Sequence, residues 1–189
     1  MNGPAADRAD DAAALPRALL LTGAVGVGKT TTAHSIGDEL RTRGIPGAVI
    51  DLDQLRLAWP APEGDRFHSA LERQNLTALA ANYRGAGARV LVAAGVLEAR
   101  AAREAYQVAL GVPLTVVRLT ASRDLVRARL HRRHEHDPAG LAWHLDRFDE
   151  LTAILDAATT EDIAVEDLTV EVVAGPAATA RAVLAAAGI

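Results

Sequence analysis

The chain has 189 residues, half of them hydrophobic and 23% charged, a balance that suits a folded domain with a sizeable core and excludes a disordered composition. Its net charge of -4 provides no global positive field for DNA or RNA, so any phosphate affinity must be local and no nucleic-acid partner is expected. The absence of cysteine excludes a disulfide framework, a thiolate metal site and thiol catalysis.

Residues 1–15 carry Asp7, Arg8, Asp10 and Asp11 among alanines, lack the basic start and apolar block of a secretory signal, and read as a disordered tail. Apolar runs such as Val90 to Leu97 fall far short of the ~20 residues that span a bilayer. The expectation is a single domain over 16–189, cytoplasmic and without a membrane partner. Oligomeric state is left open.

Ala18 to Thr22 is almost wholly apolar and suits a parallel strand buried on both faces. It runs into Gly23-Ala24-Val25-Gly26-Val27-Gly28-Lys29-Thr30, where Gly23, Gly28, Lys29 and Thr30 have the spacing G-x-x-x-x-G-K-[ST] of a phosphate-binding loop. In such a loop the backbone amides wrap a polyphosphate, the lysine reaches its outer phosphates and the hydroxyl holds magnesium. Gly23, Gly26, Val27, Gly28, Lys29, Thr30 and Thr31 are the candidate nucleotide-binding residues. Lys29 is also the only lysine in the chain, the other 19 of its 20 basic residues being arginine. A compact ammonium enters a nest of amides where a planar guanidinium fits poorly.

Thr30 to Arg43 places Ala33, Ile36 and Leu40 at helical spacing, with Gly44 as its stop. Gly47 to Asp53 reads as a second strand ending in acid, with Asp53 as a cap for a helical turn through Arg56. Asp51 and Asp53, two apart on extended chain, would share one side beside the phosphates, there to approach magnesium or accept a proton from a substrate hydroxyl.

The prolines and glycine of 59–65 predict a loop, Arg66 to Tyr83 a helix, Arg89 to Ala94 a third buried strand, Glu98 to Leu110 a helix and Pro113 to Leu119 a fourth strand. Ser122 caps a helix through Arg133, His134 to Gly140 interrupts it, and Leu141 to Ala157 forms another. Ile163 to Ala174 contains a fifth strand, clearest over Leu168 to Val173, before a terminal helix from Ala177 to Ala186. The alternation predicts an α/β fold: a three-layer arrangement with a five-stranded parallel sheet, helices on both faces and a small helical lid at about 122–145.

The loop Gly23 to Thr30 followed by Asp51-Leu52-Asp53-Gln54-Leu55-Arg56 resembles the P-loop NTPase fold of small-molecule kinases, especially the adenylylsulfate kinase type with its D-x-D-x-x-R signature. In overall layout the chain is also similar to chloramphenicol phosphotransferases and shikimate or gluconate kinases. The resemblance implies metal, base and substrate roles for Asp51, Asp53 and Arg56. Thr30 and Asp51 are the magnesium candidates, Asp51 and Asp53 the catalytic acids, and Asp53, Arg56 and Trp59 the substrate-binding set.

One departure is that the third strand ends Ala93-Ala94-Gly95, with no acid where many P-loop enzymes hold magnesium, so Asp51 or Asp53 must supply it. Guanine-specific GTPases carry an Asn-Lys-x-Asp reader, which this chain cannot hold with one lysine, so ATP is the expected donor. Gly175-Pro176 is a candidate neighbourhood for the adenine.

Five arginines, Arg123, Arg127, Arg129, Arg132 and Arg133, crowd the helix after Ser122. Arg129 and Arg133 join Lys29, Asp51 and Asp53 in the catalytic set, because mobile arginines can stabilise a phosphoryl group in transfer. His131, His134 and His136 fit no strong zinc spacing and read as structural or solvated. Trp59, Phe67, Trp143 and Phe148 line an acceptor pocket or pack in the core. The leading expectation is an ATP- and magnesium-dependent kinase of a small hydroxylated metabolite, nucleoside-like compound or antibiotic. Its alternatives are a regulatory nucleotide-binding module and a toxin-like nucleotide-sugar kinase.

Overall fold

The first strand, β1 (Arg17–Thr22), is buried from Ala18 to Thr22 because helices cover both of its faces. The computed structural model describes residues 16–160, 165–173 and 175–189. After β1 come α1 (Lys29–Thr42), β2 (Gly47–Asp51), a 3-10 turn (Leu52–Arg56), α2 (Ser69–Gly85), β3 (Val90–Ala94) and α3 (Arg100–Leu110). The chain continues with β4 (Leu114–Thr120), α4 (Arg123–Arg133), α5 (Pro138–Thr160), β5 (Leu168–Glu171) and α6 (Pro176–Ala186).

All five strands are parallel, in the order β2-β3-β1-β4-β5. Side chains alternate across a strand, so β1 feeds two cores. Leu19 and Leu21 pack with Ala33, Ile36 and Leu40 of α1 and with Ala180, Val183 and Leu184 of α6. Ala18 and Leu20 pack with Leu76 and Ala80 of α2 and with Ala109 and Leu110 of α3. This is the expected α/β sandwich. Because β1 is central, with β3 on one side and β4 on the other, its carboxyl end opens onto the crevice where such sheets bind ligands.

Some boundaries differ from expectation for local reasons. The second strand ends at Asp51, two residues early, because the chain turns into the 3-10 turn there. Asp51, not Asp53, caps that turn, its Oδ1 accepting from the amide of Asp53 at 3.0 Å. Helix α5 begins at Pro138 rather than Leu141, since proline suits a first helical turn and Asp137 Oδ1 accepts from the amide of Gly140 at 2.9 Å. Strand β5 ends at Glu171 rather than Val173. The expected tail at 1–15, and positions 163, 164 and 174 of the expected fifth-strand segment, lie outside the described residues.

Candidate active site

Between β1 and α1 the chain turns through Gly23, Gly26 and Gly28, at φ values of 140°, 80° and 106°. Gly23 is confined by its neighbour as well: a Cβ there would stand 2.4 Å from the carbonyl oxygen of Leu119 on β4. Gly28 is the N-cap of α1 and offers no side chain to its first amides. Those amides lack intrahelical partners by helix geometry, so the turn presents a cluster of donors at the positive end of a helix dipole, a ready anion site.

Lys29 folds over this loop, its Nζ donating to the carbonyls of Gly23 at 2.9 Å and Ala24 at 3.1 Å. Burial lowers its pKa to about 8, against the opposing pull of the Asp53 and Asp51 carboxylates. At neutral pH it is a charged ammonium held inside the loop.

Next to the loop, Thr30 Oγ1 donates to Asp51 Oδ2 at 3.0 Å. Register explains how an acid from the sheet's edge strand reaches α1. In the ladder Leu21 of β1 pairs with Ala94 of β3, which pairs with Asp51 of β2, so the three strands end level. Gly95 follows β3 without a side chain, and a Cβ there would lie 2.5 Å from Leu52 Cδ1. That space admits the fully buried Leu52, and the turn that Asp51 caps and that contains Asp53 settles over the end of β3. An acid at the end of β2 thereby reaches the hydroxyl in the first turn of α1.

A cavity of about 490 Å³ opens over the loop, lined by Gly26 to Thr32, Asp53, Leu130, Val172 and Pro176, among others. Arg129, Arg132 and Arg133 of α4 face it from the opposite wall, and Arg129 Nη1 donates to the Val27 carbonyl at 2.8 Å. Lysine, acid and three guanidiniums thus share one cavity. Ser122 starts this wall by accepting from the amide of Leu125 at 3.3 Å, while Val126 and Leu130 anchor it in the core.

Arg56 stands outside that lining. It donates through Nη2 to Asp53 Oδ1 and lies 3.4 Å from Glu72 Oε2 through Nη1. Trp59 also lies outside it and is 88% exposed. Among the other aromatics Phe148 is buried in the core, whereas Phe67 and Trp143 are exposed. His134 stacks on His144 with ring centroids 4.4 Å apart, and its Nδ1 lies 3.4 Å from Asp137 Oδ2.

Sequence reasoning did not single out Arg132, Val172 or Glu72. Arg132 was one of five similar arginines, and Val172 reaches the cavity only through tertiary packing. Glu72 did carry a signal: with Leu76 and Ala80 it falls on the buried face of α2, where a charge demands a partner.

The AAA_33 family profile, described as an AAA domain, matches residues 19–158, and the chain belongs to that family. No curated protein is a significant sequence match. Among solved structures, a gluconokinase from Sinorhizobium meliloti is similar at 20% identity and TM-score 0.58, covering 90% of this chain and 91% of its own. A tunicamycin resistance protein from Deinococcus radiodurans is similar at 22% identity and TM-score 0.61, covering 93% and 97%. The APS kinase of Mycobacterium tuberculosis, in complex with AMPPNP and APS, is similar at 17% identity and TM-score 0.52, covering 93% and 99%. These likenesses establish the fold, that of P-loop small-molecule kinases, the group the sequence resembles. Among the described residues no helix is long and apolar enough to cross a membrane.

Proposed function

We propose that the chain is a kinase that transfers the γ-phosphoryl group of ATP to a hydroxyl of a small molecule, with magnesium as cofactor. The observation that carries this reading is the 3.0 Å contact between Thr30 Oγ1 and Asp51 Oδ2 at the edge of a cavity that also holds Lys29, Asp53 and three arginines. A hydroxyl and a carboxylate paired beside a phosphate loop make a hard-oxygen donor set suited to magnesium. The bound ion would neutralise charge on the phosphate oxygens.

The chain's own residues supply the rest. The amides of 26–31 and the Lys29 ammonium bind the phosphates, and Val172 with Pro176 offers an apolar edge for the base. Asp53 stands on the acceptor side and takes the proton from the attacking hydroxyl. Arg129 and Arg133, joined by Arg132, spread their charge over the phosphoryl group in flight. Helices α4 and α5, at about 122–145, act as the lid that brings those arginines in and excludes water. The acceptor enters beside Asp53, where Leu57 and Trp59 expose apolar surface.

Purified protein incubated with ATP, magnesium and a panel of hydroxylated metabolites, nucleosides and antibiotics tests this. A gain of one phosphoryl group in the mass of one compound supports the reading. Tight ATP binding with no phosphorylated compound anywhere favours a regulatory nucleotide-binding module, and a product confined to nucleotide sugars favours the toxin-like kinase.

A further inference from the structure

Glu72 is only 2% exposed, in the first turn of α2, with charged partners on one side and a phenol on the other. The hydroxyl of Tyr106 on α3 donates to its Oε1, and Arg56 Nη1 lies 3.4 Å from its Oε2. Arg56 in turn donates to Asp53, which lines the phosphate-loop cavity. A relay of four side chains therefore runs from the α2-α3 interface, through the 3-10 turn, to the proposed general base. Asn75 adds a second grip on the same turn, donating from Nδ2 to the Leu55 carbonyl at 2.7 Å.

Burying a carboxylate is costly unless it is paired and hydrogen-bonded, and α2 already has Leu76 and Ala80 to pack against the sheet. The charge is not needed to seat the helix. What it touches is the guanidinium beside the acid.

We propose that Glu72 is a positioning residue for phosphoryl transfer: backed by Tyr106, it holds Arg56 against Asp53 and so sets where the Asp53 carboxylate stands at the cavity. The role rests on the kinase reading, which gives Asp53 its chemistry. With Glu72 on one side and Asp53 on the other, the Arg56 guanidinium serves to orient the acid. Besides Arg56, the charged groups acting on Glu72 are Asp53, which opposes its ionisation, and Arg73, which favours it.

The test compares full-length wild type with Glu72→Gln, a near-isosteric change that keeps an acceptor for Tyr106 and removes the charge. Two readouts are needed beside the melting temperature. One is the exchange protection of the Arg56 guanidinium protons, identified in the NMR spectrum by their loss in Arg56→Lys. The other is steady-state ADP release from magnesium-ATP, with the acceptor found by the mass screen or, failing one, with water.

The expected result is that E72Q loses Arg56 protection and that kcat falls by about tenfold or more, since small misplacements of reacting groups are costly. The KM for ATP stays at its wild-type value, and the melting temperature at the assay pH does not fall below that of wild type. Unchanged Arg56 protection overturns the proposal, as does an unchanged kcat once protection is lost, or a kcat that falls only in step with melting temperature. A wild type that releases no ADP defeats the kinase reading instead. Arg56 protection then still decides whether Glu72 anchors the guanidinium: its loss in E72Q supports the anchor and its persistence overturns it.

Discussion

Lys29 shows how much one side chain's surroundings determine its use. Burial lowers its pKa to about 8, so the ammonium that attracts phosphate is present at neutral pH and is lost above that value. Binding an anion favours the protonated form, so ATP affinity is expected to hold up to about pH 8 and then fall by up to about tenfold per pH unit, measured by calorimetry. Lys29→Ala should weaken ATP by about 10- to 100-fold at pH 7 and abolish this pH dependence. Glu72 has the opposite sign: burial raises its pKa above the ordinary 4.5, chiefly by desolvation and against the hydrogen bond from Tyr106 and the charge of Arg56. The folded state then holds that proton more tightly than the unfolded chain. Its contribution to stability is complete below about 4.5 and is lost as pH rises through the raised value. The difference in melting temperature between wild type and E72Q should follow that course, with the wild type losing ground as pH rises. A difference independent of pH would show that Glu72 titrates alike in both states.

Among the elements, the 3-10 turn between β2 and α2 determines most of the site's geometry, and Gly95 on the neighbouring connection determines where the turn can rest. A Cβ at Gly95 would meet Leu52 at 2.5 Å from Cδ1 and 3.0 Å from Cβ, so Gly95→Ala must move the segment that carries Asp51 and Asp53. Such overpacking costs about 1–3 kcal/mol, to be read from denaturant unfolding, and turnover should fall by more than the loss of folded protein explains. Unaltered stability and turnover would mean that the turn has room to spare. The loop Gly23 to Thr30, β1 and α1 were legible in the sequence because glycine spacing and apolar periodicity are local signals. The two acids were legible as residues but not as a geometry. Reading 47–53 as extended put Asp51 and Asp53 on one side of a strand, whereas the capping bond at Asp51 diverts the chain and gives each acid a different neighbour, Thr30 and Arg56. Only the parallel register of β1, β3 and β2 shows that Asp51 on the edge strand ends level with the strand that carries the loop.

At the scale of the whole molecule, the central β1 carries the phosphate loop, β2 and its turn carry the acids, and α4 carries the arginines, so three separate stretches of chain meet over one cavity. Alternation of strand and helix made the architecture legible in advance. It could not show which of five α4 arginines face the loop, because that depends on how Val126 and Leu130 seat the helix in the core. Nor does periodicity name an acceptor, since acceptor pockets are built from loops whose geometry is not periodic. The central claim is transfer of the γ-phosphoryl group by Asp53-assisted attack. Its most direct test is a single-turnover reaction with ATP labelled at the γ-phosphorus, run on wild type and Asp53→Asn with the acceptor identified by mass. Wild type should place the label on the acceptor hydroxyl, while D53N should bind ATP equally well and transfer it about 100-fold or more slowly. Label that appears only as inorganic phosphate with every acceptor, or equal transfer by the two proteins, would contradict the account.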